Sequence, residues 1–144
     1  MAFRFGEAAL APSGPAGEPR TEKARLGRHA EDLAAALLER AGMRILARNW
    51  RRPEGELDLV AIDRDGTCVF CEVRSRTGEL SGDALEAIHP RKQRQVIRAA
   101  RHYLATEPTT PATGFRFDVV AVTFFADGRA PRLAHIPAAF ETSD

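Results

Sequence analysis

Near the start of the chain, apolar residues recur at the spacing of one face of an α-helix. This periodic stretch is rich in alanine and covers residues 23–41. Gly42 follows, where a left-handed C-terminal cap is expected. The apolar positions are Leu26, Ala30, Leu33 and Leu37. The pattern therefore predicts a first helix over residues 23–41.

The residues before this helix differ in composition. Residues 1–22 contain Pro12, Pro15 and Pro19 among glycine, alanine and serine. Such a composition buries too little apolar surface to offset the entropy cost of ordering the chain. We predict a disordered tail over residues 1–22 and one folded domain over residues 23–144, since this length suits a single hydrophobic core.

Beyond Trp50 the apolar residues alternate with polar ones, as they do in β-strands. Residues 55–62 (GELDLVAI) and 67–73 (TCVFCEV) form two such runs, and the turn-forming RDG between them predicts a hairpin. Residues 114–125 (GFRFDVVAVTFF) are the strongest strand candidate. The run RLAHI near the end of the chain predicts a short edge strand.

A second helical pattern lies between the hairpin and the strongest strand. It starts at about Asp83 or at Pro90 and ends at Ala105, and the sequence leaves both starts open. The order of helix, hairpin, helix and strand predicts an α/β fold in which helices flank a mixed central sheet.

Period-2 alternation assigns the side chains of the predicted hairpin to the faces of the sheet. In the first strand Asp58 shares a face with Val60, and in the second Glu72 shares a face with Phe70 and Arg74. If these two faces coincide, two carboxylates converge beside a cation.

Converging carboxylates are costly to bury because they repel each other and lose their hydration. A divalent cation resolves this conflict, and Mg²⁺ prefers carboxylate, water and phosphate oxygens. Arg74 would then bind a phosphate oxygen. The alternative is a solvated Asp58 and a weak surface ion pair between Glu72 and Arg74. The residues alone leave the two interpretations level.

A third acid lies on the predicted first helix. Glu31 falls in line with Gly27, Ala34 and Leu38, at the edge of the face expected to pack on the sheet. A glutamate in that place needs a partner, and Gly27 leaves room for a group to approach it. The alternative is an exposed glutamate beside Arg28.

The formal net charge is +1, but the basic residues are unevenly distributed. Residues 40–52 hold five arginines and no acid, and residues 89–102 (HPRKQRQVIRAARH) also lack acids. The cations of this second segment are Arg91, Lys92, Arg94, Arg98 and Arg101. Such local excess favours a polyanion such as nucleic acid. The alternative is a set of solvated surface charges.

Two other classes of function are disfavoured. Cys68 and Cys71 form a C-x-x-C, but residues three apart on a strand point to opposite faces and no second pair completes a zinc site. We interpret them as small buried apolar side chains. The chain has no apolar run near the roughly 20 residues that cross a bilayer and no secretory signal pattern, so we expect a cytoplasmic protein.

Four segments together carry a resemblance to a known family: GRHAEDLAAALLERAGMRILARNWR, GELDLVAIDRDGTCVFCEVRSR, HPRKQRQVIRAARHYL and FRFDVVAV. Over residues 26–122 the chain closely resembles the YraN family of largely uncharacterised bacterial proteins. These are similar to Holliday-junction resolvases of the PD-(D/E)xK nuclease superfamily. The resemblance implies a restriction-endonuclease-like three-layer fold. It also implies an endonuclease that hydrolyses phosphodiester bonds in DNA, expected to be branched, with RNA as an open alternative.

The resemblance also implies roles for individual residues. Asp58, Glu72 and the main-chain carbonyl of Val73 would hold Mg²⁺ or Mn²⁺, and Glu31 would position the attacking water. The catalytic lysine of the superfamily falls on Arg74. Arginine stays protonated, so Arg74 can stabilise charge on phosphorus but cannot act as a general base.

On the basic segment, Lys92 and Gln93 are candidate contacts to a phosphate or to the site, within a nucleic-acid-binding helix. Asp118, in the FDVVAV element, is interpreted first as a structural residue. Resolvases tend to work as dimers because a junction has two scissile strands, so the resemblance implies a homodimer.

Three functions stay open from the sequence. The first is a metal-dependent endonuclease. The second is a nucleic-acid-binding protein of the same fold that lacks catalysis, which the arginine at position 74 favours. The third is a structural or protein-binding domain whose basic residues are merely solvated.

Overall fold

The computed structural model describes residues 21–78, 88–107 and 112–142. Seven elements follow one another along these ranges. They are α1 (Glu22–Arg40), β1 (Arg44–Arg52), β2 (Gly55–Ile62), β3 (Thr67–Thr77), α2 (Pro90–Thr106), β4 (Gly114–Phe124) and β5 (Arg132–Phe140).

Both helices begin and end at residues that satisfy their free backbone groups. The Thr21 hydroxyl accepts a hydrogen bond from the Ala24 N–H and caps α1, which starts one residue before its predicted position. At the other end Gly42 has φ +96° and donates to the Glu39 carbonyl, as predicted for a left-handed cap. Helix α2 starts at Pro90, which decides between the two predicted starts.

The five strands form one mixed sheet in the order β1-β2-β3-β4-β5. The first three strands are antiparallel neighbours, β3 and β4 are parallel, and β5 is antiparallel to β4. Helix α2 lies in the crossover between β3 and β4, because parallel neighbours cannot be joined by a tight turn. The predicted α/β fold with a mixed sheet is confirmed.

Each face of the sheet has its own hydrophobic core. One core combines Ala30, Ala34 and Leu38 of α1 with inward residues of the sheet, which are Leu59, Ala61, Val69, Cys71, Val120 and Val122. The other combines Val96 and Ala99 of α2 with the alternate residues, which are Val60, Ile62, Cys68, Phe70, Phe117 and Val119. Because the two sets alternate along the strands, α1 and α2 lie on opposite faces, and the domain has three layers.

The patterns in the sequence do not predict β1, and two irregularities explain why. The register of β1 against β2 shifts between Ile45 and Ala47, so that Ile45, Leu46 and Ala47 are buried in succession. Asn49 then has φ +52°, in the left-handed region. Both features interrupt the period-2 alternation by which strands are recognised.

The last strand is also irregular and extends further than the RLAHI run. The register of β4 against β5 shifts between Phe117 and Val119, and Ala138 has φ +50°. Both outer strands of the sheet, β1 and β5, therefore contain a bend and a non-glycine residue in the left-handed region.

Cys68 and Cys71 are buried free thiols that belong to opposite cores, as predicted. Burial raises the pKa of the Cys68 thiol to about 12 and that of Cys71 as well, so both remain neutral. The predicted tail up to residue 20 and residues 79–87, which follow β3, lie outside the described residues. Within the described ranges, no helix is long and apolar enough to cross a membrane.

Candidate active site

The site lies where β2 and β3 separate. Their pairing extends from Ile62 opposite Cys68 to Leu59 opposite Cys71 and stops there. One further step of the same register would place Asp58 opposite Glu72. The two predicted acids therefore lie at the end of the hairpin ladder, where the strands leave a gap in the sheet.

Asp58 closes part of this gap with its side chain. Its Oδ2 atom accepts a hydrogen bond of 2.9 Å from the Val73 N–H, which replaces the missing ladder bond. Because backbone N–H groups of a strand point along the plane of the sheet, the Asp58 carboxylate lies within that plane. It is therefore accessible to groups on both faces.

Glu72 lies beside Asp58 and is buried, and the two carboxyl groups interact electrostatically. Burial and then the charge of Asp58 raise the pKa of Glu72 to about 7. Burial also raises the pKa of Asp58, and the hydrogen bond from Val73 opposes this increase. The proximity of the two carboxyl groups therefore favours the protonated form of Glu72.

A cation of α2 contacts one of these acids. Lys92 Nζ lies 3.3 Å from Glu72 Oε2, which makes Lys92 an ion-pair partner of Glu72. Arg74 is exposed, and within the described part of the chain its guanidinium forms no hydrogen bond or ion pair. Alternation along β3 places both Glu72 and Arg74 on the face of α2, but only Glu72 is buried.

Glu31 approaches the gap from the opposite face, on α1. Its Oε1 atom accepts a hydrogen bond of 2.8 Å from Asn49 Nδ2. Burial raises the pKa of Glu31, the Asn49 hydrogen bond opposes this, and the charge of Asp58 raises it further. The alternative of an exposed glutamate beside Arg28 is not what the structure shows, since Glu31 is half-buried and bonded to β1.

The sequence does not single out Asn49 as a site residue. The residue type is the one signal that could have identified it, because asparagine tolerates the left-handed conformation better than most residues. The β1–β2 register pairs Arg48 with Leu59 and Trp50 with Leu57, with no pair between these two. Asn49 and Asp58 lie opposite each other at this unpaired step, so the β1–β2 ladder is interrupted at the same level as the gap between β2 and β3.

Within the described ranges, no group of three or more His, Cys, Asp or Glu side chains could hold a metal ion alone. The gap offers a smaller set of oxygen ligands for a metal ion. It consists of the carboxylates of Asp58 and Glu72 and the main-chain carbonyl of Val73. The N–H and C=O of one strand residue point to the same side of the strand, so the Val73 carbonyl faces the gap as the Val73 N–H does. This set fits Mg²⁺, which takes one or two carboxylates and completes its shell with water and phosphate. A divalent cation would also offset the repulsion between the two carboxylates.

A row of basic side chains extends along the exposed face of α2. We call Arg91, Arg94, Arg98 and Arg101 the basic stripe; all four are exposed and spaced three or four residues apart. Lys92 does not belong to the stripe, because its ammonium contacts Glu72. Gln93 Nε2 donates a hydrogen bond of 2.8 Å to the Ile88 carbonyl, so its amide secures the start of the helix.

Asp118 is separate from this site and has a structural role. It is fully buried, and its carboxylate accepts hydrogen bonds from Arg116, His135 and the Ala138 N–H. The network ties β5 to β4 at the register shift. Asp63, at the end of β2, extends it through a second contact to Arg116.

Comparison with known proteins places these residues in a family. The model of the family described as "Uncharacterised protein family UPF0102" matches residues 30–122. A UPF0102 protein of Anaeromyxobacter dehalogenans is 48% identical over 130 residues, which cover 90% of this chain and 93% of the relative. A UPF0102 protein of Stutzerimonas stutzeri is 45% identical over 122 residues, which cover 85% and 99%.

A third relative, a UPF0102 protein of Paracidovorax citrulli, is 48% identical over 115 residues, or 77% of this chain and 84% of the relative. The matched segment 30–122 runs from α1 to β4 and so contains Glu31, Asp58, Glu72 and the basic stripe. The resemblance inferred from the sequence motifs is thus confirmed at the level of the family. This chain belongs to the UPF0102 family, also known as the YraN family.

Proposed function

We propose that this protein is a metal-dependent endonuclease that hydrolyses phosphodiester bonds in DNA, with branched DNA as the preferred substrate. The observation that carries the proposal is the carboxyl pair of Asp58 and Glu72 at the gap in the sheet, where burial and the charge of Asp58 raise the pKa of the buried Glu72. Buried acids with raised pKa values are costly for stability, and proteins keep such groups where function needs them.

Each residue of the site has a defined task in this proposal. Asp58, Glu72 and the Val73 carbonyl hold Mg²⁺ or Mn²⁺. When bound there, the ion supplies a Lewis acid next to the scissile phosphate. Glu31, held by Asn49 on the opposite side of Asp58, accepts a hydrogen bond from the attacking water and orients it toward phosphorus.

The cations around the gap bind the substrate. Arg74 extends from the edge of the site into solvent, where its planar guanidinium can contact two oxygens of one phosphate. The basic stripe continues from the gap along α2 and contacts the sugar-phosphate backbone, which fixes the position of the nucleic acid without reading its sequence. A restriction-endonuclease-like fold and a homodimer that cuts both strands of a junction belong to the same proposal.

The test is cleavage of labelled four-way-junction, flap and linear DNA with Mg²⁺ or Mn²⁺. Asp58→Asn and Glu72→Gln keep the volume and a hydrogen-bonding oxygen but remove the charge, so both should abolish cleavage. Glu56→Gln changes an exposed acid on the same strand as Asp58 and should leave cleavage intact. Cleavage that survives both site substitutions would contradict the proposal.

The second candidate is a nucleic-acid-binding protein of the same fold that lacks catalysis. Arg74 favours it, since arginine cannot serve as a general base. DNA binding that weakens with salt, without cleavage of any of these substrates even by Arg74→Lys, would support this candidate against the endonuclease.

A further inference from the structure

We propose, resting on the metal site of the proposed function, that Lys92 is an internal counter-ion of that site. In the metal-free protein its ammonium neutralises Glu72. When a divalent cation binds Asp58 and Glu72, the ammonium leaves Glu72 and contacts a phosphate of the bound nucleic acid. Metal binding and nucleic-acid binding are then coupled through one side chain.

The position of Lys92 is the first support for this role. Its Nζ atom lies 3.3 Å from Glu72 Oε2, on one of the two carboxylates available to a metal ion. An ammonium at that distance and a divalent cation on the same carboxylate repel each other strongly in a partly buried place. The two cations therefore compete for Glu72.

The mobility of Lys92 is the second support. The Glu72 side chain is 10% exposed, whereas the Lys92 side chain is 45% exposed and ends a flexible four-carbon stem. Lys92 can therefore move toward solvent while Glu72 stays in place. Its neighbours on α2, Arg91 and Arg94, belong to the basic stripe, so the released ammonium joins a surface that already attracts phosphate.

The first measurement is the affinity for Mg²⁺ or Ca²⁺ by titration calorimetry, without nucleic acid, at a pH well above the Glu72 pKa of about 7. At that pH protons no longer compete with the metal. Lys92→Met should bind the metal about tenfold more tightly than the unchanged protein, because a repelling charge is gone. Arg91→Met, which removes an exposed cation one residue away, should bind it with unchanged affinity.

These outcomes separate the two proposals. Metal binding that is equal or weaker in Lys92→Met would overturn the counter-ion role while leaving the metal site in place. Metal binding that is absent from the unchanged protein and from Lys92→Met would overturn both. Thermal unfolding of each variant shows whether it is folded before the affinities are compared.

The second measurement is DNA binding as a function of salt, with and without Ca²⁺ as a probe ion. Without Ca²⁺, Lys92→Met should match the unchanged protein, because Lys92 is held by Glu72. With Ca²⁺, the unchanged protein should gain about one phosphate contact, seen as a steeper salt dependence that Lys92→Met lacks. Arg91→Met should weaken binding equally in both conditions. A Lys92→Met effect of the same size with and without Ca²⁺ would contradict the release of the ammonium.

Discussion

The side-chain amide of Asn49 donates a hydrogen bond to Glu31 across 2.8 Å, and it joins β1 to α1 beside the gap in the sheet. The same residue has φ +52° and lies at the step where β1 and β2 are not paired. Asn49 thus combines two roles that are usually separate. Its backbone distorts the strand, and its side chain holds an acid of the candidate site.

These two roles predict different effects for two substitutions of Asn49. Asn49→Gly loses the hydrogen bond but accepts a positive φ without strain, at a cost of about 1 kcal/mol in the free energy of unfolding. Asn49→Ala loses the hydrogen bond and also strains the backbone, which should cost about 1 kcal/mol more. Urea denaturation checks the order of stabilities. Equal stability of the two variants would show that the backbone conformation carries no strain.

The raised pKa of Glu72 predicts a pH-dependent cost of stability. The pKa of Glu72 rises from 4.5 to about 7 on folding, so its contribution is favourable below pH 4.5 and is lost as the pH rises through 7. Glu72→Gln removes this loss and keeps the volume of the side chain. The variant should be more stable than the unchanged protein at pH 8, by on the order of 2–3 kcal/mol, and should lose that advantage at pH 5.

Urea unfolding at the two pH values measures this difference. Glu56→Gln, on the same hairpin and exposed, is the matched control and should show no comparable dependence on pH. A stability difference for Glu72→Gln that is the same at pH 5 and pH 8 would mean that Glu72 ionises with an ordinary pKa.

The network around Asp118 predicts a large loss of stability when its charge is removed. Burial would raise the pKa of Asp118, but hydrogen bonds from His135, Arg116 and Ala138 outweigh burial and lower it. The stabilisation is therefore present above pH 3.8 and is lost as the pH falls through the lowered pKa. Asp118→Asn leaves Arg116 without its buried partner and should cost about 3 kcal/mol near neutral pH.

Asp127 offers a matched control for this substitution. It also pairs with an arginine, Arg129, but it is mostly exposed. Asp127→Asn should therefore change the free energy of unfolding by less than about 0.5 kcal/mol. If both substitutions have equally small effects, the Asp118 network does not stabilise the junction of β4 and β5.

The basic stripe predicts a uniform effect on nucleic-acid binding. Arg98→Ala should weaken binding to all DNA sequences alike and should reduce the slope of log affinity against log salt by about one. Arg25→Ala removes an exposed arginine of α1, remote from α2 in the chain, and should leave both quantities unchanged. Fluorescence anisotropy over a range of salt concentrations measures them. An effect of Arg98→Ala that depends on the sequence of the DNA would indicate base contacts instead.

The elements predicted correctly are those whose patterns arise from local chemistry. Helix α1 has both helical spacing and a glycine cap, and the β2–β3 hairpin combines alternation with an RDG turn. The strand β1 was missed because its bulge and the conformation of Asn49 remove the alternation. Both irregularities depend on contacts with β2 and α1, which are distant along the chain.

The same distinction applies to the candidate site. Alternation and the hairpin register bring Asp58 next to Glu72, but they do not show that the strands separate there or that Asp58 lies in the plane of the sheet. The partner of Glu72 also depends on tertiary structure. Among the described residues, Arg74 is close to Glu72 in sequence but forms no ion pair with it, whereas Lys92 is distant in sequence and makes the contact.

The irregular outer strands limit how this sheet can associate with other chains. A straight edge strand offers a continuous row of N–H and C=O groups to which another chain can add. Here β1 is bent at Asn49 and β5 at Ala138, so neither edge offers an unbroken row. The two bends therefore disfavour edge-to-edge pairing, in which the sheet of one molecule continues into the sheet of the next. We therefore expect any pairing of subunits to use helices and loops instead of the sheet edges.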